Sequence, residues 1–533
     1  MKKGLLFFLL MNALFIYGQK NVILIIADDL GTDYCGFYDG FKDTAALPNL
    51  RRLVANGVVF NNAMSNPVCS PTRAGILTGR YSFRTGVGDA VGGAGSAALD
   101  TSEMTIPRLL KIYNAQIRTA NIGKWHLSQT TPASNLNIPN LIGYDHYAGN
   151  FLGALTSYYN WSKVTNGVMG TSTTYATTET VDDAIDWINQ NKQQPFFLWL
   201  AFNAPHTPLH LPPTDLHAYS GLSGTPADIN AQPKTYFKAS LEALDHEIGR
   251  LLDSLIAFNE IDSTNIIFIA DNGNGIRSSQ IDDTLKAKGS IYQYGVHVPF
   301  VISGPTVVQK NRKSDALVNV HDLFPTILEI MGDQQWKDNI PISTTIDGVS
   351  LIPILNNSQT SVREWTFTEI FKATPDASDG KAIRNSTYKL LDFDLGNQEF
   401  YNLSLDPEEN DNILERTLNA IEIQEYQILC AQMNELLGST DFCKSTVGLE
   451  LNESNVVLSA FPNPSKNVFT IKVPKAFIGE TLLISDILSN IKFYTPISEE
   501  LMQITLFNQP SGIYYVSILA PSMNHKPIAI IKE

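Results

Sequence analysis

The 533-residue chain is poor in positive charge, in cysteine and in long apolar runs, and each shortage removes a class of function. Against 53 Asp and Glu stand only 38 Lys and Arg, a formal charge of −15. A surface of that sign does not hold nucleic acid or an anionic membrane through its overall field, so an anionic ligand needs a local cationic pocket. Beyond the N-terminus no apolar stretch approaches the roughly 20 residues that cross a bilayer, so no transmembrane segment is expected in the mature chain. The four cysteines are Cys35, Cys69, Cys430 and Cys443. In an exported protein they allow two disulfides, with the connectivity open. No His/Cys cluster has zinc-site spacing, and there are no internal repeats, low-complexity tracts or charge blocks. The glycines from Gly86 to Gly95 lack both the G-x-G-x-x-G spacing and a preceding strand, so they read as a loop near the site rather than a nucleotide cradle.

What is present is globular: 44% hydrophobic and 17% charged residues, in a chain long enough for a large catalytic core and at least one further module. Lys2 and Lys3, an apolar stretch from Leu5 to Ile16 interrupted by Asn12, and Gly18-Gln19 read as a signal peptide over residues 1–19. Val22 to Ala27, Pro195 to Phe202 and Asn265 to Ala270 are continuous apolar runs, the pattern of strands buried on both faces in a parallel sheet. A helix is expected from Pro48 to Gly57, and another from about Tyr236 to Leu252 with Leu241, Leu244, Ile248, Leu251 and Leu252 on one face. Strands alternating with helices imply an α/β sandwich. Polar motifs follow the strands: Asp28-Asp29 after the first, His206 after the second, Asp271-Asn272 after the third. In such sheets ligands gather beyond the carboxyl ends of the strands, so these segments are expected to converge.

The sharpest local signal is Cys69-Ser70-Pro71-Thr72-Arg73, followed by Ala74-Gly75-Ile76-Leu77-Thr78-Gly79-Arg80. It resembles the sulfatase signature, in which the cysteine is oxidised to formylglycine. Further segments resemble other landmarks of that family: Asn21 to Gly31, Gly123-Lys124-Trp125-His126-Leu127, Ala204-Pro205-His206-Thr207-Pro208, Asp271-Asn272-Gly273, Lys288-Gly289, and Tyr401-Asn402-Leu403 with Asp406-Pro407-Glu408. The resemblance runs from about Asn21 to Asn412. It implies an alkaline-phosphatase-like α/β/α sandwich over residues 20–360 and a smaller C-terminal α+β subdomain over 361–445. It also implies hydrolysis of sulfate esters, with a formylglycine-generating enzyme as maturation partner. A motif that consumes Cys69 leaves Cys430 and Cys443 as a pair closing a short loop, with Cys35 unpaired.

The resemblance assigns Asp28, Asp29, Asp271, Asn272 and residue 69 to one metal ion. This set suits a hard cation, calcium with magnesium as the alternative. Arg73 and Lys124 are implied to hold the formylglycine diol and His126 to take a proton from it. His206 and Lys288 are implied to bind sulfate oxygens, one of them protonating the leaving alcohol. His210, His246 and His321 match no catalytic motif and read as structural or surface residues. Where many relatives carry a glutamate, paired glycines and an arginine after Lys288-Gly289, this chain has Gln293, Tyr294-Gly295 and His297, so its substrate-facing surface is expected to differ there.

Residues 454–533 change texture, with Phe469, Ile471 and Val473 alternating against Thr470 and Lys472, as in a small β-sandwich. With Phe461-Pro462-Asn463-Pro464 near its start and Gly512-Ile513-Tyr514 near its end, this tail resembles the sorting domain of type IX secretion. That implies export through the periplasm, then release or attachment at the outer surface, with the secretion machinery as partner. Such an address favours a sulfated polysaccharide or oligosaccharide as substrate. Two rival readings are a phosphodiesterase or phosphonate hydrolase on the same fold, and a non-catalytic glycan-binding surface protein.

Overall fold

The computed structural model describes residues 21–41, 43–92, 96–444, 458–486, 490–519 and 528–533. The signal peptide expected over 1–19 lies outside the described residues. Among them, no helix is long and apolar enough to cross a membrane. Two compact units divide the chain, Met1–Asp411 and Asn412–Glu533. The segment 361–445 therefore contributes to both.

The first unit is built on a ten-stranded mixed sheet: β1 (Asn21–Ala27), β2 (Gly57–Met64), β3 (Arg118–Gly123), β4 (His146–Gly149), β5 (Trp161–Thr165), β6 (Val168–Ser172), β7 (Phe196–Ala201), β8 (Thr264–Ala270), β9 (Phe300–Ser303) and β10 (Arg312–Asn319). Their order is β10-β2-β9-β8-β1-β7-β3-β4-β5-β6. The central strands β8, β1, β7, β3 and β4 are mutually parallel, whereas β9, β5 and β6 pair antiparallel to their neighbours. Every residue of β1, β7 and β8 is buried, which is why these strands, past Asn21 in β1 and Thr264-Asn265 in β8, are apolar runs with no alternation.

One group of helices, Pro48–Ala55, Ala176–Asn191 and Pro233–Ala257, packs together, and a second group, Cys69–Thr78, Ile106–Tyr113 and Leu323–Ile330, does likewise. The first helix starts with proline, and its free N–H groups are met from outside: Asp245 accepts from Asn49 N at 2.9 Å and from Leu50 N at 2.7 Å. The long helix starts at Pro233, ahead of the expected Tyr236, because proline occupies its first turn. A four-stranded antiparallel sheet follows: β11 (Thr366–Ile370), β12 (Gly380–Arg384), β13 (Tyr388–Phe393) and β14 (Gln398–Asn402). Its inner residues Ile370, Ala382, Leu391 and Tyr401 form one apolar cluster with Val68, the residue before Cys69.

In the second unit the helix Ala420–Leu437 carries an Asn419/Glu422 capping box and ends at Gly438 in the left-handed region. A disulfide joins Cys430 to Cys443, while Cys35 and Cys69 are free and buried, in keeping with the expected pairing. The strands β15 (Ser459–Phe461), β16 (Val468–Lys472), β17 (Thr481–Asp486), β18 (Ile491–Pro496), β19 (Leu501–Thr505), β20 (Gly512–Leu519) and β21 (Ile528–Lys532) make two antiparallel sheets, β15-β16-β19 and β18-β17-β20-β21. Phe469, Ile471, Leu482, Ile484 and Val516 form the buried core of this small sandwich.

Candidate active site

Apart from Cys69 and Arg73, which lie on one helix, every candidate residue from the sequence lies just past a strand end or on a loop tied to one. Asp28 and Asp29 follow β1, Lys124 and His126 follow β3, His206 follows β7, and Asp271 and Asn272 follow β8. Backbone bonds lock these ends together: Asp28 N to Ala204 O at 3.1 Å, Leu30 N to Asn272 O at 3.0 Å, Asp271 N to Ala27 O at 3.2 Å and Lys124 N to Ala201 O at 2.8 Å. Lys288 is brought in by its own N–H bonding Asn274 O at 3.0 Å. Two of the residues hold unusual backbone, Asp29 at φ 63° and His126 at φ 55°, the kind of local strain that clusters at functional sites.

Cys69 is the first residue of a helix, Cys69–Thr78, that is buried along its whole length. Its N-terminal turn is positioned from the side: Thr72 Oγ1 accepts from Asn66 N at 2.9 Å, and Ser70 Oγ donates to His126 O at 2.7 Å. Gly75 is required by a close approach, since a Cβ there would lie 2.6 Å from Nε2 of His321. His321 is thus a packing residue, in edge contact with Tyr81 at 4.6 Å. His210 is likewise stacked on Tyr158, at 3.8 Å, and His246 is exposed.

The Cys69 Sγ sits between two ammonium groups, 3.5 Å from Lys124 Nζ and 3.6 Å from Lys288 Nζ. Lys124 donates to Asp28 Oδ2 at 2.6 Å, and Lys288 donates to Asp29 Oδ1. Arg73 donates from Nε at 3.0 Å and Nη2 at 2.7 Å to Asp271 Oδ2, and from Nη1 to Lys124 O at 3.1 Å. Asn272 Nδ2 donates to Asp29 Oδ1 at 2.7 Å. His206 Nε2 lies 3.6 Å from Asp29 Oδ2.

Three carboxylates therefore face three cations in a buried nest, and their proton affinities diverge. Burial and then the neighbouring Asp271 push the Asp28 carboxyl up. Against burial, His206 and Lys288 hold Asp29 below its ordinary value, and Arg73, Lys124 and Lys288 do the same for Asp271. Burial raises the Cys69 thiol, with Lys124 and Lys288 opposing. Burial, reinforced by Lys124, Arg73 and Lys288, drives His126 well down, so its ring is neutral. Its Nε2 lies 3.0 Å from Val91 O. A carbonyl only accepts, so Nε2 carries the proton and the buried, unpartnered Nδ1 presents a lone pair. The glycine-rich segment thus borders the site through Val91, although Gly93 to Gly95 lie outside the described residues.

The donor set fits a hard divalent cation. Asp28 Oδ1 and Asn272 Oδ1 are buried without a hydrogen-bond partner, a costly arrangement unless something else satisfies them. Ligand atoms of Asp28, Cys69 and Asp271 lie within 4.8 Å of one another, as do those of Asp28, Asp29 and His206. A cleft of about 270 Å³ opens beside them, lined by Asp29, His206, Lys288, Leu209, Phe237 and Arg277 among others.

Sequence reading missed a supporting cluster. Asn274 accepts from Gly31 N at 2.8 Å and donates to Asp33 and to Tyr294 Oη, tying the loop after β1 to the loop after β8. Burial pushes Asp33 up to about 6. The available signal was the second Asn in Asp271-Asn272-Gly273-Asn274. Tyr294 and His297, expected to alter the substrate-facing surface, instead turn inward: Tyr294 Oη bonds Asp33, and His297 Nε2 donates to Asn61 O at 2.7 Å.

The sulfatase family profile matches residues 20–333, and a profile for the C-terminal region of N-sulphoglucosamine sulphohydrolase matches residues 285–437. The human N-acetylgalactosamine-6-sulfatase is 29% identical over 367 residues, 63% of this chain and 65% of that protein. An N-acetylgalactosamine-6-O-sulfatase of Bacteroides thetaiotaomicron is 25% identical over 480 residues, 74% of this chain and 89% of that protein. The chain thus spans about two thirds of the human relative's length and more of the bacterial one's. Among solved structures, Ps i-CgsB in complex with k-i-k-neocarrahexaose superposes with a TM-score of 0.66 at 25% identity, covering 78% of this chain and 92% of that one. With the profile spanning more than half its length and the motif residues gathered at the carboxyl edge of the sheet, the chain belongs to the sulfatase family of sulfuric ester hydrolases.

Proposed function

We propose that this chain hydrolyses sulfate esters of a sulfated polysaccharide or oligosaccharide, with residue 69 converted to formylglycine and one calcium ion held by Asp28, Asp29, Asp271, Asn272 and residue 69. The observation that carries the reading is the Cys69 Sγ, buried at the start of a helix within 3.6 Å of two ammonium groups and beside an acidic cluster with unsatisfied oxygens. The hydrated aldehyde supplies one hydroxyl as nucleophile toward sulfur and a second through which sulfate is released. The cation supplies charge neutralisation at the reacting oxygens.

The remaining work falls to the chain's own groups. Lys124 and Lys288 hold negative charge at residue 69, and Arg73 fixes Asp271 against the same nest. His126, neutral and with a free Nδ1 lone pair, accepts the proton of the second hydroxyl. His206 Nδ1 lies 2.6 Å from Thr207 O, which aims Nε2 into the cleft; with Lys288 it binds the sulfate, and one of the two protonates the departing alcohol. The carbohydrate class is supported by relatives whose names specify N-acetylgalactosamine sulfate and by the oligosaccharide bound in the Ps i-CgsB structure. The N-terminal leader and the C-terminal sandwich support export and recognition by a type IX machinery.

The test is co-expression with a formylglycine-generating enzyme, peptide mapping of residue 69, and desulfation assays on defined sulfated oligosaccharides with calcium or chelator present. Turnover that follows aldehyde content, falls with chelation and vanishes in Cys69→Ala is expected. An unmodified thiol in fully active native enzyme, or dominant turnover of phosphate diesters, overturns the reading.

A further inference from the structure

The cleft beside residue 69 has a feature that sulfate-ester chemistry leaves unused. Arg277 lines it together with the sulfate-binding candidates His206 and Lys288. Its side chain is exposed, and among the described residues no carboxylate comes within ion-pairing distance of it. Its one hydrogen-bond partner among the described residues is a neutral amide, Asn230 Oδ1 at 2.7 Å, which orients the guanidinium without cancelling its charge. In a chain with 15 more acidic than basic residues, an arginine on a cleft wall with no acidic partner stands out.

The backbone that carries Arg277 is held firmly. Ile276–Ser278 forms one turn of 3-10 helix, with Ser278 N bonding Gly275 O at 3.0 Å and Tyr34 Oη donating to Ser278 O at 2.6 Å. A Cβ on Gly275 would lie 3.6 Å from Asp29 Oδ2, so the turn starts directly against the catalytic nest. Beside Arg277 the 59% exposed Ile276 offers apolar surface on the same wall, suited to the C–H face of a pyranose ring, while the lining residues Leu209 and Phe237 are buried.

Building on the sulfatase reading, we propose that Arg277 is a specificity residue that binds a second anionic group, sulfate or carboxylate, on the sugar that carries the scissile ester or on its neighbour. A guanidinium fork matches either oxyanion bidentately. Such a contact is made equally in ground and transition states, so it acts mainly on KM.

The experiment uses the full-length, formylglycine-containing enzyme and three probes: an aryl sulfate, a monosulfated oligosaccharide with neutral neighbours, and matched oligosaccharides bearing a second sulfate or a uronate. Wild-type enzyme is expected to prefer the doubly anionic substrates, and Arg277→Ala to reduce that preference in kcat/KM about tenfold, mostly through KM. Asn230→Asp, which sets a carboxylate against the guanidinium, should reduce it in the same direction, and Arg277→Lys should recover part of it. The sulfate and uronate arms identify which anion is read. A preference unchanged in Arg277→Ala, or one absent from the wild type while aryl sulfate is turned over, overturns the proposal and leaves the sulfatase reading standing. Failure on all three probes despite full aldehyde content removes the sulfatase reading itself.

Discussion

Arg73→Met removes a fully buried cation of the site, and its cost follows from the contacts. The Arg73 side chain is 0% exposed, as is that of Asp271. The substitution deletes two charge-assisted bonds to Asp271 Oδ2, at 3.0 and 2.7 Å, and one to Lys124 O at 3.1 Å. More important, it leaves the Asp271 carboxylate buried without the guanidinium that donates twice to its Oδ2, and breaking one side of a buried ion pair costs about 4 kcal/mol. For a unit the size of Met1–Asp411 each kcal/mol moves the melting temperature about 1.2 °C, so a fall of about 5 °C is expected by calorimetry. The scan is run with chelator so that a bound cation does not compensate the stranded carboxylate. In Arg73→Met with Asp271→Asn, the uncompensated charge is gone, and the double variant should lose about 2 kcal/mol less than the sum of the two singles. A melting temperature within 2 °C of wild type for Arg73→Met, or strict additivity in the double variant, refutes the argument.

Gly123 sits at φ +101°, and a Cβ there would lie 1.9 Å from Ala201 O, the same carbonyl that accepts from Lys124 N. Gly123→Ala should therefore force β3 from β7 and cost roughly 3 kcal/mol or more; an unchanged urea midpoint would contradict this. Burial, aided by Arg363, pushes His321 down from 6.5 to about 3, so it folds neutral. Its folded value lies below its unfolded one, so its contribution is complete above pH 6.5 and is lost as pH falls from 6.5 toward 3, at about 1.4 kcal/mol per pH unit. Denaturation midpoints between pH 6.5 and 4 should accordingly fall less steeply in His321→Gln than in wild type.

The sequence made the inner strands legible because they are buried on both faces, which demands short apolar runs such as Val22 to Ala27. The antiparallel flank was not legible. In β6, Val168 to Thr171 are exposed, and pairing with Trp161–Thr165 depends on a two-residue turn, Asn166-Gly167, rather than on an apolar pattern. Site residues were readable where chemistry demands a residue type at a strand end, as with Asp28, Lys124 and Asp271. Residues that act through others were not. Asn274 and Tyr294 owe their place to Asp33, a partner that is distant in sequence, and nothing local marks it. Arg277 looks like any surface arginine until the fold sets it on the wall shared with His206 and Lys288.

The same geometry answers how so acidic a chain can attract an anionic ester. Asp28, Asp29 and Asp271 are matched by Arg73, Lys124 and Lys288 within one buried cluster, so the nest is close to neutral before any ligand arrives. Two oxygens in it, Asp28 Oδ1 and Asn272 Oδ1, remain without a donor. In the proposed holoenzyme a divalent ion satisfies those oxygens and leaves a local surplus of about two positive charges where the sulfate enters. Salt screens exposed charges beyond roughly 8 Å, whereas charges in a buried nest are screened far less. The chain's net charge of −15 is therefore felt weakly at the cleft and the local surplus strongly. Raising ionic strength should then leave the affinity for a small aryl sulfate nearly constant, while weakening binding of doubly anionic substrates through the exposed Arg277. Steady-state KM values across a salt series measure this directly, and equal weakening of both substrate classes would contradict the division of labour between nest and wall.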